Sequence, residues 1–209
     1  MTEAPETRYT KTADGIHIAY QVFGDGPVDL VVLPGGWNLE VEWEWPSVAR
    51  FFRRLASFSR VVRFNMRGEG LSDPVAPRDW QTLEQRAEDM QVVLEAVGSQ
   101  RTALLGGVFG GQMMIFFAAT HPERTAALVL VGTTARFGWA PDYPWGQPVE
   151  ERESVVATAE AGWEHGTALA RMLAPSSVDR SNSGRLTRSQ AANCRRTGSL
   201  GPPGTGTRR

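Results

Sequence analysis

Cysteine is almost absent from this sequence, since Cys194 is the only one. A single thiol excludes an intrachain disulfide and a thiolate metal cluster, and no cofactor or metal site is predicted. No apolar run approaches the ~20 residues that span a bilayer. The first residues also lack the basic patch and apolar segment of a signal peptide. These absences favour a cytoplasmic protein that has no membrane partner.

The sequence has little net charge, which is -1 at pH 7. Such a balance gives no overall field that would attract nucleic acid, so no nucleic-acid partner is predicted. The charge is nevertheless unevenly distributed. Residues 176–209 contain seven arginines and one acidic residue, whereas the remainder has 15 basic and 22 acidic residues. The C-terminal tail is therefore basic and the body of the protein acidic.

Strand and helix patterns alternate along the first 135 residues. Ile16, Ile18 and Tyr20 alternate with His17 and Ala19, a period of two that predicts a half-exposed strand. Short apolar runs predict further strands at 30–33, 60–64, 103–105 and 127–131, and periodic apolar positions predict helices at 48–58, 83–97 and 111–120. Short apolar strands that alternate with helices indicate an α/β fold with a mostly parallel sheet.

Two details of these elements can be tested directly. The runs at 30–33 and 127–131 are continuously apolar, which is typical of strands that are buried on both faces. In the helix at 48–58, the spacing predicts an apolar face that packs on the core. That face consists of Val48, Phe51, Phe52, Leu55 and Ala56.

The composition divides the chain into three parts. Residues 1–149 form the predicted core domain, and residues 150–175 contain one or two further helices. Residues 176–209 include only six apolar residues in 34. Such a segment buries too little surface to offset its chain entropy, so we expect it to be disordered.

Two turns that follow predicted strands have the composition of a catalytic site. Active sites of open parallel sheets form at the carboxyl ends of the strands. The first turn contains Gly36 and Trp37, and its glycines would let backbone N–H groups approach a ligand, as an oxyanion hole requires. The alternative is a glycine-rich turn that merely leaves the strand.

The second turn runs from Gly106 to Gly111 between a strand and a helix. Small residues at this spacing are typical of a nucleophile elbow, G-x-S-x-G. Gly106 and Gly110 occupy the two flanking positions, but the residue between them is Val108. Valine has neither a proton to lose nor a lone pair for attack. The alternative is a glycine-rich turn that never held a nucleophile.

Together with other segments, these turns resemble the α/β-hydrolase superfamily. The similar branch is esterase-like and bacterial, and it occurs alone or fused N-terminal to class III adenylate/guanylate cyclase domains. The resemblance covers roughly residues 8 to 153, and the matching segments are 18–22, 24–27, 33–35, 53–58, 67–73, 117–124 and 139–144. The resemblance therefore implies an α/β-hydrolase fold, with residues 150–175 as a partial helical cap.

The resemblance also implies positions for the family's catalytic groups. The nucleophile falls on Val108, and the backbone oxyanion donors fall on Phe109 and on Gly36 or Trp37. Asn65 stands where aspartate is usual in a turn that mainly shapes the backbone. Trp37, Phe109, Trp139 and the cap residues would line a pocket for a small apolar acyl or aromatic ligand.

The acid and histidine of the expected triad have no clear counterpart. The fold places them after the nucleophile, on later strands, but apolar periodicity is lost after Leu173. His17, His121 and His165 do not follow such a strand, so we interpret them as surface or structural residues. We expect a truncated domain whose tail results from a frameshift or early stop, and a sheet edge at 127–131 that favours self-association.

Three functions remain open from the sequence. The first is a degenerate hydrolase that keeps the fold but does not catalyse ester hydrolysis. The second is a ligand-sensing or protein-interaction module that uses the pocket without chemistry. The third is a weakly active hydrolase with another nucleophile, for which Ser72 and Ser99 are the nearby candidates.

Overall fold

The computed structural model describes residues 4–33, 38–76, 81–108 and 110–162. Its strands are β1 (Arg8–Lys11), β2 (His17–Phe23), β3 (Asp29–Leu33), β4 (Arg60–Phe64), β5 (Thr102–Gly106) and β6 (Thr125–Leu130). Its α-helices are α1 (Pro46–Ala56), α2 (Leu83–Ala96), α3 (Gly111–Thr120) and α4 (Val149–Gly162), and two 3-10 helices span Val41–Glu44 and Pro122–Arg124.

The six strands form one mixed sheet in the order β1-β2-β4-β3-β5-β6. β4, β3, β5 and β6 are parallel, whereas β1 and β2 add an antiparallel ribbon beside β4. Helices separate the successive parallel strands. This arrangement is the α/β-hydrolase fold, with a mostly parallel sheet flanked by helices, and it confirms the predicted fold class.

β3 shows why its apolar run is continuous. Val31 and Leu33 pack into a core cluster that contains residues of α2 and α3. Leu30 and Val32 point to the other face and pack in a second cluster with residues of α1. Because both faces are covered, every position from 30 to 33 requires an apolar side chain, as the sequence predicted.

α2 begins and ends where its sequence signals predict. The Thr82 hydroxyl accepts a hydrogen bond from Gln85 N at 3.3 Å, and the Gln85 side chain accepts one from Thr82 N at 3.2 Å. This capping box satisfies two N–H groups of the first turn. After the helix, Gly98 adopts a φ of 69°, the left-handed conformation that glycine favours at this position.

Three burial predictions are wrong. Phe51 is 46% exposed, and Ala49 takes its place in the core because α1 turns that position toward the sheet. β2 is buried rather than half-exposed: Ala19 and Gln21 are fully covered, and the Gln21 amide donates hydrogen bonds to Pro5 O and Thr7 Oγ1 near the N-terminus. The strand predicted as buried at 127–131 is exposed, because β6 pairs only with β5 in the described part of the chain.

No local pattern in the sequence predicts β1. Its residues, Arg8 to Lys11, show no apolar alternation and are mostly exposed. The strand forms because its backbone pairs with β2 in an antiparallel register, Arg8 with Tyr20 and Lys11 with His17. Such pairing depends on a neighbouring strand rather than on local side-chain pattern.

Beyond β6, the loop at 137–148 folds back on itself through isolated bridges between Gly138 and Gln147 and between Ala140 and Tyr143. It leads into α4, which falls in the segment 150–175 that was predicted to contain one or two helices. The rest of that segment and the predicted disordered tail at 176–209 lie outside the described residues. In the described ranges, no helix is both long enough and apolar enough to cross a membrane.

Candidate functional site

The turn between β5 and α3 is held by backbone hydrogen bonds to both neighbouring strands. Gly107 N donates to Leu33 O at 2.9 Å, which ties the turn to the end of β3. Val131 N donates to Gly106 O at 2.9 Å, which ties it to the end of β6. Gly111 N closes the turn on Gly107 O at 2.7 Å. The turn therefore lies at the carboxyl edge of the sheet, where sites of this architecture form.

Close packing explains why the turn needs glycine. A Cβ at Gly110 would lie 2.6 Å from Leu33 O, and a Cβ at Gly106 would lie 2.8 Å from the Cα of Gly111. Both distances are too short for non-bonded heavy atoms. The strand-to-helix connection therefore has the compact shape of a nucleophile elbow, and this shape depends on Gly106 and Gly110.

Val108 lies at the centre of this turn and is half-buried. Its carbonyl accepts a hydrogen bond from Thr133 Oγ1 at 3.3 Å. Its side chain lies beside Gly132, where an added Cβ would be 3.6 Å from Val108 Cγ2. The elbow thus presents a methyl-bearing side chain where a nucleophile would need a hydroxyl or thiol.

The predicted oxyanion donors Gly36, Trp37 and Phe109 lie outside the described residues. The segment after the first turn is described, and Asn38 anchors it. Asn38 Oδ1 accepts hydrogen bonds from Glu40 N at 3.0 Å and Val41 N at 3.2 Å, at the start of the first 3-10 helix. The oxyanion hole expected in the preceding glycine turn remains a prediction.

His17 pairs with a carboxylate, but it lies far from the elbow. Its Nδ1 is 2.8 Å from Asp73 Oδ2, and both side chains are nearly half exposed. β4 and β3 separate β2 from β5. Three strand spacings place His17 about 14 Å from the elbow strand. The pair therefore fastens the loop after β4 to the start of β2 and does not reach Val108.

The other histidines do not complete a triad in the described part of the chain. His121 follows the last residue of α3 and stacks on Phe117 with ring centroids 4.6 Å apart. A ten-residue helix places it about 15 Å from the elbow end of α3. His165 lies outside the described residues.

The two candidate serines are placed unlike nucleophiles. Ser72 Oγ donates to Asn65 O at 2.7 Å and accepts from Ala19 N at 2.9 Å, so the hydroxyl is used to hold the loop. Ser99 is buried and precedes β5, which places it toward the amino edge of the sheet, opposite the elbow. Neither serine lies on a tight strand-to-helix elbow like the one between β5 and α3.

The loop after β4 contains the strongest electrostatic contacts near this edge. Arg67 donates to Asp89 through Nε at 2.7 Å and Nη2 at 2.5 Å, and to Asp14 through Nη1 at 2.6 Å. Hydrogen bonds from Thr12 and Arg67 hold the pKa of the Asp14 carboxyl below its usual range. In the same loop, burial raises the pKa of Glu69 to about 7, although the charge of Arg86 opposes this shift.

A second buried ion pair was not predicted from the sequence. Arg63 of β4 and Glu42 of the first 3-10 helix are paired, and each side chain is only 3% exposed. The Arg63 guanidinium carbon also lies 3.7 Å from the centroid of the Phe52 ring. Burial lowers the pKa of Arg63 to about 9. The available signal was an arginine inside the strand Arg60–Phe64, between Val62 and Phe64.

No group of three His, Cys, Asp or Glu side chains within the described ranges could hold a metal ion. The site is therefore best described as a strand-to-helix elbow with a valine at its centre, next to a loop fixed by ion pairs.

Comparison with known proteins identifies the class to which this fold and elbow belong. The sequence model of the alpha/beta hydrolase fold family matches residues 29–206, so the chain belongs to that family. The matched range includes most of the tail that we expect to be disordered. That expectation remains a prediction, because the described residues end at 162.

Individual relatives are hydrolases and esterases. A 2-hydroxy-6-oxononadienedioate/2-hydroxy-6-oxononatrienedioate hydrolase from Paraburkholderia phymatum is 30% identical over 138 residues, which cover 63% of this chain and 46% of the relative. A bifunctional esterase/perhydrolase from Acinetobacter calcoaceticus is 29% identical over 119 residues, covering 57% and 41%. The chain thus spans less than half the length of these curated relatives.

Solved structures agree with the fold. The crystal structure of an esterase from Rhodococcus sp. ECU1013 superposes with a TM-score of 0.66 at 26% identity, covering 89% of this chain and 71% of that one. An esterase from Exiguobacterium antarcticum superposes with a TM-score of 0.62 at 20% identity, covering 90% and 73%. At 20% identity, the similarity to the Exiguobacterium antarcticum esterase supports the fold alone.

Proposed function

We propose that this chain keeps the hydrolase scaffold but does not catalyse ester hydrolysis. Its relatives include esterases, so ester hydrolysis is the activity that the family would lead us to expect. The observation that supports its loss is Val108 at the centre of the elbow. Loss of a triad nucleophile typically lowers turnover by about 10⁶.

The surroundings of Val108 supply no substitute in the described part of the chain. Ser72 is engaged in two hydrogen bonds. His17 is paired with Asp73 and lies about three strands from Val108. A serine that lacks a nearby base stays protonated near neutral pH and attacks slowly. A weakly active enzyme that uses another described serine is therefore disfavoured.

The test is to incubate the purified chain with a fluorophosphonate probe and, separately, with p-nitrophenyl esters. A related esterase serves as the positive control, and heat-denatured protein gives the background. We expect no labelling and no hydrolysis above background. A burst of nitrophenol that a serine-directed inhibitor blocks would contradict the proposal and reveal an active nucleophile.

A second function, the binding of a small apolar acyl or aromatic ligand without chemistry, is favoured by the loop at 137–148. β6 is parallel to β5, so the loop that follows it begins at the same edge as the elbow. Phe137, Trp139 and Trp145 of this loop are 42%, 53% and 77% exposed. Aromatic side chains commonly line the sites of apolar ligands.

A thermal-shift screen with fatty acyl and aromatic compounds tests this second function. We expect stabilisation that Trp139→Ala reduces and that Tyr9→Ala, an exposed aromatic on β1, leaves unchanged. Identical shifts in both variants would contradict binding at the loop. The resemblance to chains fused to cyclase domains is consistent with such a sensing role.

A further inference from the structure

Gln21 places a polar side chain in the interior of the protein. It lies on β2 and is fully covered, and its register partner on β4 is Arg63. Burying an amide is costly unless its oxygen and its nitrogen both find hydrogen-bond partners. The partners of Gln21 therefore indicate which elements this position holds together.

Gln21 joins two segments that are far apart in the sequence. Its Oε1 accepts a hydrogen bond from Trp43 Nε1 of the first 3-10 helix at 3.0 Å. Its Nε2 donates to Pro5 O and to Thr7 Oγ1, each at 3.1 Å. The indole N–H can only donate, so it fixes which way the amide is turned. Residues 4–7 are thus tied to the first 3-10 helix through β2.

The Thr7 hydroxyl carries this connection back to the start of the same helix. It accepts from Gln21 and donates to Glu40 Oε1 at 3.1 Å, and Glu40 is the N-cap residue of the first 3-10 helix. The three hydrogen bonds all point the same way, from the Trp43 indole through Gln21 and Thr7 to the Glu40 carboxylate. Hydrogen bonds in such a series strengthen one another, so the loss of one weakens the rest.

The first 3-10 helix depends on contacts of this kind for its position. It is only four residues long, and 3-10 hydrogen bonds have poor geometry. Its other polar anchors are the buried pair of Glu42 with Arg63 and the bonds from Glu40 N and Val41 N to Asn38 Oδ1. Asn38 therefore moves with the helix if the helix leaves the sheet.

We propose that residues 4–7 form a strap that holds the first 3-10 helix on the sheet through Thr7 and Gln21. When the strap is displaced, the buried Gln21 amide loses both of its acceptors, so it turns toward water and leaves Trp43. The helix is then released together with Asn38, while the elbow between β5 and α3, which has no member in the series, stays folded. The N-terminal segment thus controls the connection between β3 and α1 independently of the elbow.

Native-state hydrogen exchange of the full chain at low urea concentrations tests the strap. The amides of Glu42 and Trp43 should exchange through a local opening, whose rate rises less with urea than that of the elbow amides of Gly107 and Gly111, because it exposes less surface. Thr7→Val keeps the side-chain shape but removes both hydrogen bonds of the hydroxyl. It should make this opening about tenfold more frequent, with the same weak dependence on urea.

Two variants control for the chemical change at position 7. Thr7→Ser keeps the hydroxyl and should retain the parental exchange at Glu42 and Trp43. Thr10→Val removes the same group three residues further on, at a position of β1 that pairs with Ile18 and takes no part in the series. It should also leave this exchange unchanged.

A double-mutant cycle tests whether Thr7 and Trp43 act through the same hydrogen bonds. Trp43→Phe removes the indole N–H and keeps an aromatic side chain. Urea unfolding of the parent, both single variants and the double variant gives the folding equilibrium constants. The combined loss should be smaller than the product of the single losses by about threefold or more, because either change breaks the same series.

Three results would overturn the proposal. The first is unchanged exchange at Glu42 and Trp43 in Thr7→Val. The second is faster exchange whose urea dependence equals that of the elbow amides, since the helix would then be released only by global unfolding. The third is a pair of losses for Thr7→Val and Trp43→Phe that simply multiply.

Discussion

The loop after β4 and the turn after β5 lie at the same edge of the sheet but keep their shapes by different means. The β4 loop uses side chains: Asn65 Oδ1 accepts from Leu71 N at 3.1 Å, and Arg67 binds two carboxylates. The β5 turn uses the absence of side chains at Gly106 and Gly110. The shape of each connection can therefore be kept when its chemistry changes. Asn65 keeps the hydrogen bond that shapes the β4 loop. Val108 leaves the shape of the β5 turn intact and removes only the nucleophile.

The largest expected effect follows from removing the Arg67 side chain. Arg67→Met would leave Asp89, whose side chain is 1% exposed, without its cationic partner. Breaking a buried ion pair costs roughly 3–5 kcal/mol. Urea unfolding should show a loss of this size.

Two companion variants separate charge from packing. Arg67→Met combined with Asp89→Asn should recover part of the lost stability, because the second change removes the buried charge. Arg8→Ala, which breaks an exposed pair with Glu6, should cost no more than about 1 kcal/mol. Equal losses for Arg67→Met and Arg8→Ala would contradict the role assigned to the buried pair.

Gly110→Ala is the matching test of the β5 turn. Gly110 has a φ of -87°, which alanine adopts freely, so any cost comes from the collision with Leu33. Overpacking of this kind typically costs about 1–3 kcal/mol. Thermal unfolding should show the loss, and an unchanged Tm would show that the backbone of the turn relaxes easily.

Gly98→Ala is the complementary control, because it tests an unfavourable φ where there is no close neighbour. Nothing lies within 4 Å of the added Cβ, but the φ of 69° is unfavourable for alanine. This variant isolates backbone strain, which costs about 1–2 kcal/mol. A larger loss at position 110 than at position 98 would support close packing as the main constraint on the elbow.

Local pattern predicted most of the elements that surround these two turns. The bounds of β4 and α3 agree with the sequence prediction, because their apolar residues repeat at strand and helix spacing. The elbow glycines were also recognised from their spacing. The Arg67–Asp89 pair was not, since its members are 22 residues apart and meet only when α2 packs beside the loop. Phe51 was misplaced because period alone does not fix how a helix is turned against the sheet.

Glu69 gives the β4 loop a pH dependence that the β5 turn lacks in its described residues. Its folded pKa of about 7 lies above the ordinary value of 4.5. The unfolded chain therefore loses its proton first, and this group's contribution to stability is present below pH 4.5 and is lost as pH rises through about 7. Glu69→Gln should remove that fall.

The measurement is the free energy of unfolding of both proteins at pH 5 and pH 8. The variant should gain stability relative to the parent at pH 8 and much less at pH 5. A constant difference between the two proteins would show that Glu69 titrates normally.

The smallest effect is expected for Val108→Ser, which restores the hydroxyl to the elbow and changes little else. Val108 is half-buried, and serine is smaller, so the loss of stability should be modest. Turnover of p-nitrophenyl esters should stay near that of the parent, because a serine without a base remains protonated. His17 is held by Asp73 too far away to serve as that base. A turnover that approaches about 1 s⁻¹, the low end of ordinary enzymes, would show that a general base lies near the elbow. In that case, Val108 alone would separate this chain from an active hydrolase.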